Sequence, residues 1–74
     1  VIVCKMQVPD AVIDAVVQRM RSGQFECATL ISVARSMWPD VPAWCHDRLA
    51  DRLIQRESKS GRISRVGGRV WEPG

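Results

Sequence analysis

The chain lacks most of what a secreted miniprotein, a membrane protein or a metalloenzyme needs. Three cysteines, Cys4, Cys27 and Cys45, are an odd number, and no C-x-x-C occurs. A disulfide framework needs pairs and a structural zinc site needs closely spaced ligands, so neither is expected, and reduced, buried thiols in a cytoplasmic protein are the reading. The single histidine, His46, adjoins Cys45, but helix neighbours point ~100° apart and make a poor chelate. No apolar run approaches the ~20 residues that span a bilayer. The opening Val1-Ile2-Val3-Cys4 is too short for the apolar core of a signal peptide, so none is expected ahead of the domain. Neither an internal repeat nor a low-complexity stretch is present. At 74 residues there is room for one domain, 1–74, and none for an enzyme with its own cofactor fold. Lone His46 has no catalytic partner, so no enzyme, metal or cofactor is expected.

What is present is typical of a small globular domain: 46% hydrophobic and 26% charged residues. The cations are nine Arg and two Lys, and Arg grips phosphate or carboxylate with a planar fork. They are unevenly placed. Residues 1–51 carry five cations against six acids, and residues 52–74 carry six against two. The C-terminal third therefore either meets a phosphate-bearing partner or is simply a solvated basic segment.

Periodicity predicts three helices. Residues 1–8 read as an extended lead-in, and Val8-Pro9-Asp10 opens a helix over 10–22, with Val12, Ile13, Val16, Val17 and Met20 on one face and Gly23 as its stop. Gln24-Phe25-Glu26-Cys27 alternates and is either a strand or an extended link. A second helix opens at Ala28 or Thr29 and closes at Trp38, because Pro39 disfavours helical geometry before it. Pro42 starts a third helix, 42–58, with Asp40 or Val41 as its cap and Cys45, Leu49, Leu53 and Ile54 as its apolar stripe. Its other faces carry Trp44, His46, Asp47, Arg48, Asp51 and Arg52, and Arg48 and Asp51 are spaced to pair.

After Gly61 the period falls to two. Arg62-Ile63-Ser64-Arg65-Val66 and Arg69-Val70-Trp71 flank Gly67-Gly68, which predicts a hairpin over 61–72. Ile63, Val66, Val70 and Trp71 are candidates for a lid on the helices, with Trp71 weighted toward the core.

The order helix, extended piece, helix, proline-bounded turn, helix, hairpin resembles the winged helix-turn-helix superfamily. The residues that carry the resemblance are Thr29-x-x-x-Val33-Ala34, the Pro39–Pro42 turn, the Cys45, Leu49, Leu53 ridge and Gly61-Arg62-Ile63 leading to Gly67-Gly68-Arg69-Val70-Trp71. The resemblance implies an α+β fold, a three-helix bundle with a C-terminal β-hairpin wing, and binding of double-stranded DNA in transcription control or another nucleoprotein step of a bacterial or phage-type system. It implies groove contacts from Trp44, Arg48 and Arg52 on the third helix and phosphate contacts from Arg62, Arg65 and Arg69 on the wing. Asp47 and Asp51 lie on the same face and oppose phosphate. A protein-interaction module using Trp44, Asp47 and Asp51 is the alternative, and a homodimer formed through the first helix or the N-terminal strand is a third arrangement.

Overall fold

A computed structural model describes residues 2–74. Its elements are β1 (Ile2–Val3), β2 (Met6–Gln7), α1 (Asp10–Arg21), β3 (Phe25–Glu26), α2 (Cys27–Met37), α3 (Ala43–Lys59), β4 (Ile63–Gly67) and β5 (Val70–Pro73). Three helices pack with a three-stranded antiparallel sheet ordered β3-β5-β4, and β1 and β2 form a separate two-stranded sheet. This is an α+β architecture.

The helices form where apolar residues recur at helical spacing. α1 buries Val12, Val16 and Met20, four residues apart each time. Pro9 stands just outside the helix, at the N-cap, and Asp10 meets the positive end of the dipole. At the other end Ser22 donates from its hydroxyl to the Arg19 carbonyl (2.8 Å), and Gly23 turns the chain at φ +146°. β3 resolves the strand-or-link alternative: Phe25 pairs with Trp71 and Glu26 with Val70.

α2 begins at Cys27, ahead of the predicted Ala28 or Thr29. Thr29 is its third residue, not its opener. The Thr29 hydroxyl turns back to accept from the Glu26 N–H (3.3 Å), half of a capping box with Glu26. Trp38 ends the helix by donating its N–H to the Ala34 carbonyl (2.8 Å), and Pro39 stops any continuation.

α3 runs from Ala43 to Lys59, one residue later than predicted at each end. Pro42 is itself the N-cap, at φ −59° and ψ 152°, so neither Asp40 nor Val41 caps the helix. The buried face is wider than the predicted stripe. Cys45, Leu49, Leu53 and Ile54 are joined by His46, Ala50 and Glu57. His46 was expected on the surface, yet it is 2% exposed. Its Nε2 lies 2.6 Å from the Trp38 carbonyl, so the imidazole ties the start of α3 to the end of α2, with its ring edge-on to Trp38. That partner is eight residues away, which a reading of one helix face does not reveal.

The core gathers Val8, Val12, Val16, Met20, Phe25, Leu30, Leu49, Leu53 and Ile63, with Trp71 half-buried at its margin. Large side chains of this kind contribute about 1.5–3 kcal/mol each when fully buried. β4 and β5 pair as predicted, but the turn falls one residue later. Gly67 pairs with Val70, so Gly68 and Arg69 form the tip, and of the two glycines only Gly68 takes positive φ (+44°). A bulge between Arg65 and Gly67 leaves Val66 without a partner. Val66 is exposed and is no part of the lid, because three residues from the buried Ile63 it falls on the opposite face of the strand.

The N-terminal lead-in is also corrected. Residues 2–7 fold into a tight hairpin with Val3 opposite Met6, and the two residues between the strands, Cys4 and Lys5, both sit in the left-handed region at φ 55° and 63°. A left-handed non-glycine residue costs roughly 1–2 kcal/mol. A disulfide between Cys4 and Cys45, whose Cα atoms are 6.1 Å apart, fastens this hairpin to α3. The expectation of three reduced thiols therefore fails: an odd count rules out complete pairing, not one bond between partners 41 residues apart. Cys27 is the free cysteine.

Candidate nucleic-acid interface

With one side of α3 buried, Trp44, Asp47, Arg48, Asp51, Arg52 and Gln55 are left on the other, all exposed. A helix advances ~100° per residue, so pairs four apart form edges. Asp47 and Asp51 lie along one edge, and Arg48 and Arg52 along the other. The acidic edge faces the β4–β5 hairpin. There a cleft of about 380 Å³ is bounded by Asp51 and Ile54 of α3, Cys27 at the start of α2, and Arg65, Arg69 and Trp71 of the sheet. The basic edge faces the N-terminal hairpin, across a cleft of about 240 Å³ between Arg48, Arg52 and Gln55 on one side and Ile2, Val3 and Cys4 on the other. Asp51 borders both clefts and so stands at the middle of the face.

Two of the six predicted contact residues sit on each shoulder of this face. Arg48 and Arg52 are on α3. Arg65 and Arg69 are on the hairpin, where the Arg65 guanidinium donates through Nε (2.8 Å) and Nη2 to the Gly68 carbonyl. The backbone thus holds Arg65 across the hairpin tip, and Arg69 at that tip is exposed. Trp44, at the start of α3, is 56% exposed and lies outside the core.

Arg62 is not part of this arrangement. Its Nη1 lies 2.9 Å from Glu57 Oε2, and Arg56 Nε is 3.4 Å from the same oxygen. This cluster opens onto a different groove, of about 510 Å³, beside Ile13, Val17 and Arg21 of α1. Arg62 fastens the entry of β4 to the end of α3. The expected Arg48–Asp51 pair is also not formed: among the described residues the only ion pairs are those of Glu57, and Asp51 accepts a long bond from Gln55 Nε2 (3.4 Å). Glu57 follows Leu53 by four and so falls on the buried stripe, the one signal in the sequence for its place.

The cleft beside the β4–β5 hairpin has an acidic floor under arginine rims. Burial, and then the charges of Asp51 and Asp47, push the Cys27 thiol above its ordinary pKa. The thiol therefore stays protonated and is a poor nucleophile at neutral pH. Among the described residues no three His, Cys, Asp or Glu side chains gather as a metal site, and no helix is long and apolar enough to cross a membrane. The chain matches no family model, no curated protein and no solved structure.

Proposed function

We propose that the protein is a winged-helix DNA-binding domain that presents α3 to the major groove of double-stranded DNA and the β4–β5 hairpin to the flanking phosphates. The observation that carries this reading is the sheet order β3-β5-β4, because pairing β5 with β3 beside α2 fixes Arg65 and Arg69 next to the exposed face of α3. Four arginines, Arg48 and Arg52 on α3 and Arg65 and Arg69 on the hairpin, then flank the exposed face of one helix. A major groove ~12 Å wide accepts one helix with its side chains. Arg48 and Arg52 are placed to donate bidentate bonds to guanine, and Trp44 to meet a sugar or a thymine methyl. Arg65 and Arg69 supply phosphate contacts that position the domain without reading sequence.

Asp47 and Asp51 restrict that reading in a useful way. An aspartate on a groove-facing helix repels phosphate but accepts from the N4 amino group of cytosine. Their side of α3 is thus suited to cytosine and opposed to bases that present only acceptors. The role in transcription control or another nucleoprotein step, and a cytoplasmic setting, belong to this same proposal. The alternative, a protein-interaction module centred on Trp44, Asp47 and Asp51, draws on the exposure of Trp44.

The test is a titration of duplex DNA at two salt concentrations. Affinity should fall steeply with salt, and Arg65→Ala with Arg69→Ala should weaken binding and reduce the slope of log K against log salt by about 2. Binding indifferent to salt and to both arginines would favour the protein-partner reading.

A further inference from the structure

The N-terminal hairpin is held by one covalent bond and by the insertion of Val3 into the core. Its strands are two residues each, and isolated hairpins even longer than this are marginal in water. Its turn places Cys4 and Lys5 in a conformation that Asn and Gly adopt readily and these residues do not. Ile2, Met6 and Gln7 are exposed, so Val3 is the one strand side chain buried. Beyond Val3, what fixes the hairpin against α3 is the bond to Cys45, which puts it along the edge that carries Arg48 and Arg52.

We propose that Cys4–Cys45 is a thiol-exchange site whose state sets whether the N-terminal hairpin stands beside Arg48 and Arg52 and restricts entry of α3 into DNA. The inference rests on the DNA-binding reading for its consequence, though not for its chemistry. The two sulfurs differ in access: Cys4 is half-buried and Cys45 is 1% exposed. A small thiolate therefore attacks Cys4 Sγ. The Cys4–Cys45 bond breaks, Cys45 leaves as a thiolate and takes up a proton, and Cys4 is left in a mixed disulfide. A second thiolate attacks the small-molecule sulfur of that mixed disulfide and releases Cys4 as a thiol. The protein gains two electrons and two protons, and two small thiols become one small disulfide. Cys27 does not compete, because it lines the opposite cleft and its thiol is held protonated by burial and by Asp51 and Asp47.

The consequence follows from dimensions. A helix with its side chains is ~10–12 Å across and the major groove ~12 Å wide. α3 alone fills the groove, so a hairpin fixed beside Arg48 and Arg52 meets the groove wall. The disulfide form is the restricted one and the dithiol form the open one.

Amide hydrogen exchange and duplex-DNA titration on the full chain test this, in the oxidised protein, after dithiothreitol, and in Cys4→Ser. Opening the bond should speed exchange over residues 2–7 by about tenfold more than it speeds exchange at Leu49 and Leu53, whose amides open only with the whole fold. Affinity for a mixed-sequence duplex should rise about threefold, as the competent fraction grows. Unchanged protection over residues 2–7 in both reduced protein and Cys4→Ser overturns the proposal. So does an equal acceleration at residues 2–7 and at Leu49 and Leu53, which makes the bond a staple of the whole fold. Equal DNA affinity in the two redox states overturns the gating. A duplex bound in neither state instead sinks the DNA reading, and the exchange result then judges the thiol site by itself.

Discussion

Two hairpins flank α3, and they are built on opposite plans. The β4–β5 hairpin is anchored by many weak terms. β5 is the middle strand of a three-stranded sheet, Ile63 enters the core, Gly68 supplies the one left-handed residue of the turn, and Arg62 binds the buried Glu57. The β1–β2 hairpin has no third strand and no glycine, and it takes its position from one sulfur–sulfur bond and one buried side chain, Val3. The difference teaches where each can yield. Distributed anchorage gives a rigid presenter of Arg65 and Arg69. A single covalent anchor gives an element that one chemical event can free.

The anchors should differ in size when they are broken. Reducing Cys4–Cys45 removes a cross-link between residues 41 apart, which constrains the unfolded chain by up to about 4 kcal/mol. Urea unfolding with and without reductant measures this, and the loss should be the larger of the two. Arg62→Ala leaves the Glu57 carboxylate buried with only Arg56 at 3.4 Å, at a cost of about 1–2 kcal/mol. In a Glu57→Gln background the same substitution should cost much less, and a double-mutant cycle isolates the difference. Equal costs for Arg62→Ala in both backgrounds would mean that Glu57 does not anchor the hairpin.

The turns should respond in opposite directions, with smaller effects. No atom lies within 4 Å of a Cβ added at Gly68, so Gly68→Ala is penalised by its φ of +44° alone, about 1 kcal/mol. Lys5→Gly relieves a φ of 63° and should stabilise by about 0.5 kcal/mol, the gain being reduced by the greater freedom of glycine in the unfolded chain. Thermal unfolding of both variants checks the signs. Matching signs would remove the contrast between the two turns.

Much of the architecture was legible because local pattern and tertiary demand agree. The four-residue spacing of Val12, Val16 and Met20, the prolines at 39 and 42, and the switch to period two after Gly61 each mark an element that the structure contains. Arg48 and Arg52 were legible as one edge of α3 because helix periodicity fixes the face each occupies. Arg65, by contrast, shares strand parity with the buried Ile63 and Arg69 sits in the turn, so their approach to α3 was not legible. What was not legible depends on partners distant in sequence. His46 is buried by the Trp38 carbonyl, Arg62 is drawn away from the other arginines by Glu57, and Cys4 is drawn to Cys45. Strand alternation already sets Val66 on the face opposite Ile63, whereas the bulge after Arg65 depends on pairing with β5 and was not legible.

The central claim is that the exposed face of α3 and the tip of the β4–β5 hairpin engage one duplex together. Amide chemical-shift mapping with double-stranded DNA tests it most directly. The account predicts that the largest shifts fall on residues 44–52 and 65–69, with α1 silent. Shifts confined to Trp44 and α1, or gathered around Arg21, Arg56 and Arg62, would contradict it.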